Sequence, residues 1–281
     1  MQKDLSSPCH RLFATFLVLL ASLWMSRAPA ADFAANFGGT AGSSFSQTAS
    51  TIDAAGNVYI VGTFTDAALT IGTVTITRKG VTDTVVAKID ASGAVVWTKN
   101  FGGIGAFAYG QSIAVDASGN VYLGGYFDGA NLTTPALIKI GSRDAFDVKL
   151  DSAGTSVWAR NFGGSTAIAY GQSIAVDASG NVYLGGYFNA NLTTPALIKI
   201  GFRDAFAFKL DSVGNSVWSK KFGGFGASAD GRSIAVDASG NVYLGGYLQS
   251  ANLTTPALTI IGIQDAFARS EERRVGKECC R

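Results

Sequence analysis

Apolar and small or polar residues alternate with a period of two through most of this chain, and Asp-x-x-Gly interrupts the alternation at regular intervals. The clearest stretch is SIAVDASGNVYLGGY, residues 112–126. Ile113 and Val115 alternate with small residues, as a pleated strand requires. Asp116-Ala-Ser-Gly119 then predicts a type I turn: Asp caps a backbone amide two residues on, and Gly accepts the left-handed conformation that follows. In the next strand Val121, Leu123 and Gly125 share one side, and Tyr122, Gly124 and Tyr126 the other. The same fifteen letters recur at residues 173–187 and 233–247, and a worn copy, ASTIDAAGNVYIVGT, fills residues 49–63.

A second hairpin with the same turn logic follows in each unit, as in DAFAFKLDSVGNSVW at residues 204–218. Phe206, Phe208 and Leu210 share one face, as do Phe146, Val148 and Leu150, and Val85, Ala87 and Ile89. Trp97, Trp158 and Trp218 lie in the closing strand of each complete unit. Phe-Gly-Gly marks at Phe37, Phe101, Phe162 and Phe222 set spacings of 64, 61 and 60 residues. Four short strands in two tight hairpins per unit predict an all-β chain, a β-propeller built from four-stranded antiparallel blades. A parallel β-helix is the rival, but its rungs are much shorter and need no antiparallel turns. Paired glycines such as Gly124-Gly125 are expected to let neighbouring sheets approach closely.

The strings DASGNVYLGGYF and DAFAFKLDSVGNSVWSKKFGG resemble the bacterial beta-propeller repeat called SBBP, which occurs in secreted and surface proteins. The resemblance extends over residues 37–268 and implies the fold and a bacterial origin, but no common activity. The first unit departs most, with Gly62-Thr63 in place of the Gly-Tyr ending.

The two ends read differently from the repeats. Lys3 and Arg11 precede an apolar run, residues 12–25, and Ala28-Pro-Ala30 offers a small-x-small cleavage site, so residues 1–30 are expected to be a signal peptide. After its removal no membrane span is expected, and the protein is expected to be exported to the periplasm, the cell surface or the medium. Residues 31–268 hold the repeats, with blades at about 37–100, 101–161, 162–221 and a truncated 222–268. Residues 269–281, RSEERRVGKECCR, resemble the translation of a sequencing adapter and are read as non-native. The expected ring is therefore incomplete, about three and a half blades.

Composition narrows the chemistry. Cys9 and His10 lie in the leader, Cys279 and Cys280 in the tail, and all three glutamates among the last thirteen residues. Cysteine and histidine chemistry is thereby excluded from the repeats, and no cofactor or metal site is expected. Residues 32–268 carry 14 Lys and Arg against 16 Asp, a net charge of −2, which supplies no basic field for nucleic acid. The Asp-x-x-Gly-Asn turns at Asp53, Asp116, Asp177 and Asp237 bring one carboxylate each, too few for a calcium loop. Asn131, Asn191 and Asn252 open glycosylation sequons that recur with the repeat and read as ordinary loop residues. The tryptophans after Asp-x-x-Gly are similar to those in the blades of quinoprotein dehydrogenases, a likeness that implies blade-to-blade packing.

Two sets of residues stand out as candidate ligand contacts. Both tight turns of a unit lie at one end of the blade, so the longer connections gather at the other, where binding usually resides. There the copies differ, reading IGAFAYGQ, STAIAYGQ and FGASADGR, with Tyr109, Tyr170 and Asp230 equivalent, as are Gln111, Gln172 and Arg232. The tyrosines are the expected amphipathic anchors for a protein or carbohydrate partner. Asp83, Asp144, Asp204 and Asp265 precede strands and predict either structural turn chemistry or a ring of carboxylates at the propeller mouth; Asp144 and Asp204 are carried forward as ligand candidates. No nucleophile–base pair is present among the repeats and no catalytic residue is assigned. The expected function is an exported non-catalytic binding module or surface scaffold; the alternative is a propeller enzyme, a quinoprotein-like oxidoreductase or a polysaccharide-active one, with its catalytic groups in further blades.

Overall fold

The computed structural model describes residues 37–38 and 45–271, so the expected signal peptide and residues 272–281 lie outside the described residues. All regular elements among the described residues are β-strands. Phe45–Ile52, Val58–Phe64, Asp83–Ile89 and Val95–Phe101 form one antiparallel sheet in sequential order. Phe107–Val115, Val121–Asp128, Arg143–Leu150 and Ser156–Phe162 form the second. Ala169–Val176, Val182–Phe188, Asp204–Leu210 and Ser216–Phe222 form the third. The fourth has three strands, Ser228–Val236, Val242–Gln249 and Gln264–Glu271, the last running past Ala268, where the sequence repeat stops. First strands of successive blades adjoin one another and are therefore the inner strands. This is the propeller arrangement, and the described residues do not close the ring.

The core lies between blades rather than within them. Tyr59, Val61, Val86 and Trp97 of the first blade pack on Ile113, Leu123, Phe146 and Val148 of the second. Tyr122, Trp158 and Phe162 of the second meet Ile174, Leu184, Phe206 and Phe208 of the third. Period-two alternation thus feeds two junctions from every strand. The glycine pair works as expected: a Cβ on Gly124 would stand 2.9 Å from Leu184 Cδ1 of the next blade. Trp97 and Trp158 lie in the outer strands and donate their indole N–H to Ser152 and Ser212 carbonyls of the following blade, at 3.0 and 3.2 Å. They are blade-to-blade packing residues.

Each inner hairpin turn is closed by its aspartate. Asp116 Oδ1 accepts from the amides of Ser118 and Asn120, both at 2.9 Å, and Oδ2 accepts from the Asn120 side chain at 2.8 Å and the Tyr122 hydroxyl at 2.9 Å. Gly119, with φ of 78°, completes the turn. The tyrosine that anchors a blade junction thus also buttons the turn below it. Burial alone would raise the Asp116 carboxyl, but these hydrogen bonds outweigh it and hold the group below its ordinary 3.8. A lowered folded pKa contributes stability present above the unfolded value and lost as pH falls through the folded one. Tyr122→Phe is accordingly expected to cost about 0.5–1.5 kcal/mol in urea melts at neutral pH. The deficit should shrink as pH falls through the lowered pKa of the folded carboxyl and the carboxylate is protonated.

Two features depart from the sequence reading. Phe101, Phe162 and Phe222 end outer strands instead of opening units, because the two glycines after each have close neighbours on both sides. A Cβ at Gly102 would fall on the carboxylate of Asp83, and one at Gly103 on the backbone of residues 131–133 in the next blade. The long second-to-third connections also contain small ladders, Leu132–Thr133 with Ala136–Leu137 in the second blade and a longer Ala68–Ile71 with Val74–Thr77 in the first. Tyr243 on the outward face of the fourth blade is 44% exposed, against 0% for Tyr122 and Tyr183, which have a following blade over them.

Candidate functional site

Asp83, Asp144 and Asp204 are fully buried. Asp144 accepts from the amides of Ile140 and Gly141, at 2.7 and 2.8 Å, and from the Asn161 side chain at 2.6 Å. Asp204 accepts from Ile200 and Gly201 at the same distances. These carboxylates tie down the strand entry and its loop, and burial keeps a ligand from them. Asp144 and Asp204 are therefore not ligand contacts; their chemistry is that of the turn, the other reading open from sequence.

The second candidate set converges. Tyr109, Tyr170 and Asp230 are not loop residues but lie within the inner strands Phe107–Val115, Ala169–Val176 and Ser228–Val236, toward their long-loop end. Cross-strand pairing sets each beside a tyrosine from the strand-ending Gly-Gly-Tyr: Tyr109 with Tyr126, Tyr170 with Tyr187, Asp230 with Tyr247. Gln111, Gln172 and Arg232 fall at register shifts two residues further on, where a β-bulge re-aims the side chain.

The pairs join into a row that crosses blade boundaries. Tyr109 and Tyr126 stack with centroids 5.0 Å apart, Tyr126 meets the edge of Tyr170 at 4.7 Å, and Tyr170 stacks on Tyr187 at 4.6 Å. Arg143 lies over both Tyr126 and Tyr170, at 4.9 and 4.6 Å, ion-pairs with Asp128 and donates to the Tyr170 hydroxyl. Arg203 and Arg232 both lie over Tyr187, at 5.2 and 5.5 Å. Guanidinium planes over aromatic rings gain from the ring quadrupole and are held in place by it. Burial, then the neighbouring Tyr170 and Asp230, push the Tyr187 hydroxyl up to about 12, so it stays a neutral donor. Burial would lower Arg232, but the Tyr247 and Asp230 partners outweigh it and the guanidinium stays charged.

Sequence reading missed Tyr126, Tyr187, Tyr247, Asp128, Arg143 and Arg203. The tyrosines read as strand residues inside the repeat; the arginines stood one place before a conspicuous aspartate. A signal was present: Arg143 and Arg203 have Thr82 and Gln264 at the equivalent positions of the first and fourth blades. No group of three or more metal-ligating side chains occurs among the described residues, and no described helix is long and apolar enough to cross a membrane. What the row offers is a semi-exposed, preorganised set of ring edges, phenol hydroxyls and guanidinium donors, suited to holding a polar ligand and devoid of a nucleophile–base pair.

Comparison with known proteins bears on the fold. Over 160 residues the chain is 28% identical to an uncharacterised WD repeat-containing protein of Acanthamoeba polyphaga mimivirus, covering 50% of this chain and 11% of that protein. An apocarotenoid oxygenase of Synechocystis is similar to 81% of this chain at 11% identity and a TM-score of 0.37, and the chain spans 51% of it. A calcium-binding regucalcin of Agrobacterium tumefaciens is similar to 76% of this chain at 11% identity and a TM-score of 0.30, over 72% of its own length. Structural likenesses this distant carry no argument about activity. A family model for the SBBP beta-propeller repeat matches residues 96–133, 157–192 and 217–253. Each match starts in the outer strand of one blade and ends in the small ladder of the next, so the family's unit straddles the inter-blade junction described above. Three successive matches on antiparallel blades show that the chain carries SBBP-type beta-propeller repeats.

Proposed function

We propose that this protein is an exported, non-catalytic binding propeller whose ligand surface is the tyrosine–arginine row on the long-loop side of the inner strands. The observation that carries the reading is the continuity of the row across blades: Tyr109, Tyr126, Tyr170 and Tyr187 contact in series, with arginines laid over them. The main apolar junctions and the aspartate clamps lie elsewhere in each sheet. The differences between copies also compensate one another. Where Asp128 becomes Asn189, the carboxylate reappears one blade on as Asp230, in the place of Tyr170, and still meets the local arginine. Both junctions thus keep a carboxylate beside the arginine that lies over the rings. Tyr and Arg are the side chains that most often anchor interfaces.

The test is a binding screen of the purified chain on arrayed glycans and immobilised proteins. Tyr109→Ala with Tyr170→Ala is expected to weaken any saturable binding at least tenfold while leaving the melting temperature within a few degrees of wild type. Unchanged binding to a verified partner by the folded double variant would remove the row as the ligand surface.

A further inference from the structure

The row is not electrically uniform. At the junction of the second and third blades Arg143 has its own carboxylate, Asp128. At the next junction Arg203 and Arg232 share one: Asp230 Oδ2 accepts from Arg203 at 3.2 Å, from Arg232 at 3.1 Å and from the Tyr247 hydroxyl at 2.6 Å. Asp230 is fully buried, and its Oδ1 has no hydrogen-bond partner. The two arginine side chains are 32% and 46% exposed. Two fixed cations against one carboxylate leave one positive charge uncompensated. Arg203 gives only its Nη1 to a protein acceptor, and Arg232 spends its remaining contacts on Gln172 and Tyr247.

Resting on the reading of this row as the ligand surface, we propose that the junction of the third and fourth blades, with Arg203, Arg232, Tyr187 and Tyr247, is a subsite for the carboxylate of an acidic sugar. Asp230 positions both guanidinium groups by holding them through a single oxygen, so their outward N–H donors remain directed at solvent. A carboxylate there accepts from both forks, the geometry in which arginine outperforms lysine. Tyrosine hydroxyls beside the cations suit the hydroxyls of a pyranose. A long polyanion recognised by charge alone is disfavoured: Asp128 and Asp230 lie within the row, and residues 32–268 are net negative.

The experiment titrates the full chain with oligogalacturonate, with its methyl ester and with a neutral galactan oligosaccharide. Saturable binding of the acid, lost on esterification, is expected. Arg232→Gln and Arg203→Gln should each weaken it about tenfold or more, while Lys149→Gln on the opposite, tight-turn face leaves it unchanged. Circular dichroism melts of every variant separate loss of the subsite from loss of fold; should Arg203→Gln unfold, the more exposed Arg232→Gln decides. Equal affinity for acid and ester, or acid binding indifferent to both arginines, would overturn the subsite. Tyrosine-dependent binding of the neutral oligosaccharide or a protein alone would overturn it too, yet leave the row as a binding surface. Absence of any ligand for the row would overturn both.

Discussion

Replacing Asp147 with alanine is expected to stabilise the protein by about 1–3 kcal/mol at neutral pH, the usual cost of a buried polar group left without partners. Asp147 is in the third strand of the second blade, on the face that meets the third. It is fully buried, and neither carboxylate oxygen has a hydrogen-bond partner. Arg160 stands directly opposite in register but sends its Nε to the Gly214 carbonyl at 2.8 Å instead. The other blades place Val86, Ala207 and Ala268 at this position, so the junction accepts small apolar side chains without rearrangement. Burial pushes the carboxyl well above 3.8. The sign follows from linkage: a raised folded pKa means the native state binds its proton more tightly, so stability falls as pH rises above the unfolded value toward the folded one. In urea melts wild type and Asp147→Ala should therefore differ least at or below the unfolded carboxyl's value and increasingly as pH rises through the raised folded one. At neutral pH the melting temperature of the variant should rise by ~2–4 °C per kcal/mol of stabilisation. A variant that melts at or below the wild-type temperature throughout this range would show that the carboxyl has an energetic role its surroundings do not reveal.

Asp144→Ala should act in the opposite direction and more strongly, losing about 3–5 kcal/mol. Two residues of sequence separate it from Asp147, 144 against 147 with the strand alternation between them, yet its environment is inverted. Its carboxylate accepts from two loop amides and the Asn161 side chain, and Gly163 lies so close that a Cβ there would collide with it. Alanine would strand those donors in the interior with no water to take them. It would also free the loop that carries the small ladder toward the preceding blade. Asp144→Asn, which keeps the shape but opposes donor to donor, should recover only part of the loss. Chemical denaturation of the three proteins measures this; a deficit under about 1 kcal/mol would mean that the clamp is replaceable by solvent.

These two aspartates mark the boundary of what sequence can say. Strands, turns and the pairing of hairpins were legible because period-two alternation and Asp-x-x-Gly are local physics, repeated four times. The paired glycines were legible as packing residues because a close sheet leaves no room for a side chain, and the tryptophans through their likeness to those of quinoprotein blades. The locations of Tyr109 and Tyr170 on the long-loop side were legible too, although in strands rather than loops: the bulge at Gln111 that bends the strand there has no letter of its own. The Phe-Gly-Gly marks gave the period but not the boundary, since their glycines answer to an aspartate in the third strand and to the next blade's backbone.

The partners of each polar group were a different matter. That Arg143 meets Asp128 while Arg203 meets Asp230 depends on which blade lies beside which, as does the row of rings from Tyr109 to Tyr187. Letters alone could not distinguish Asp144, fully bonded, from Asp147, bonded to nothing. An all-β chain, its turns and its repeating faces follow from interactions within a few residues and could be read from the letters. Which carboxylates are clamps, which is stranded and which arginines share one depends on the packed fold, because those answers come from contacts between separate strands and blades and from the exclusion of water between stacked sheets.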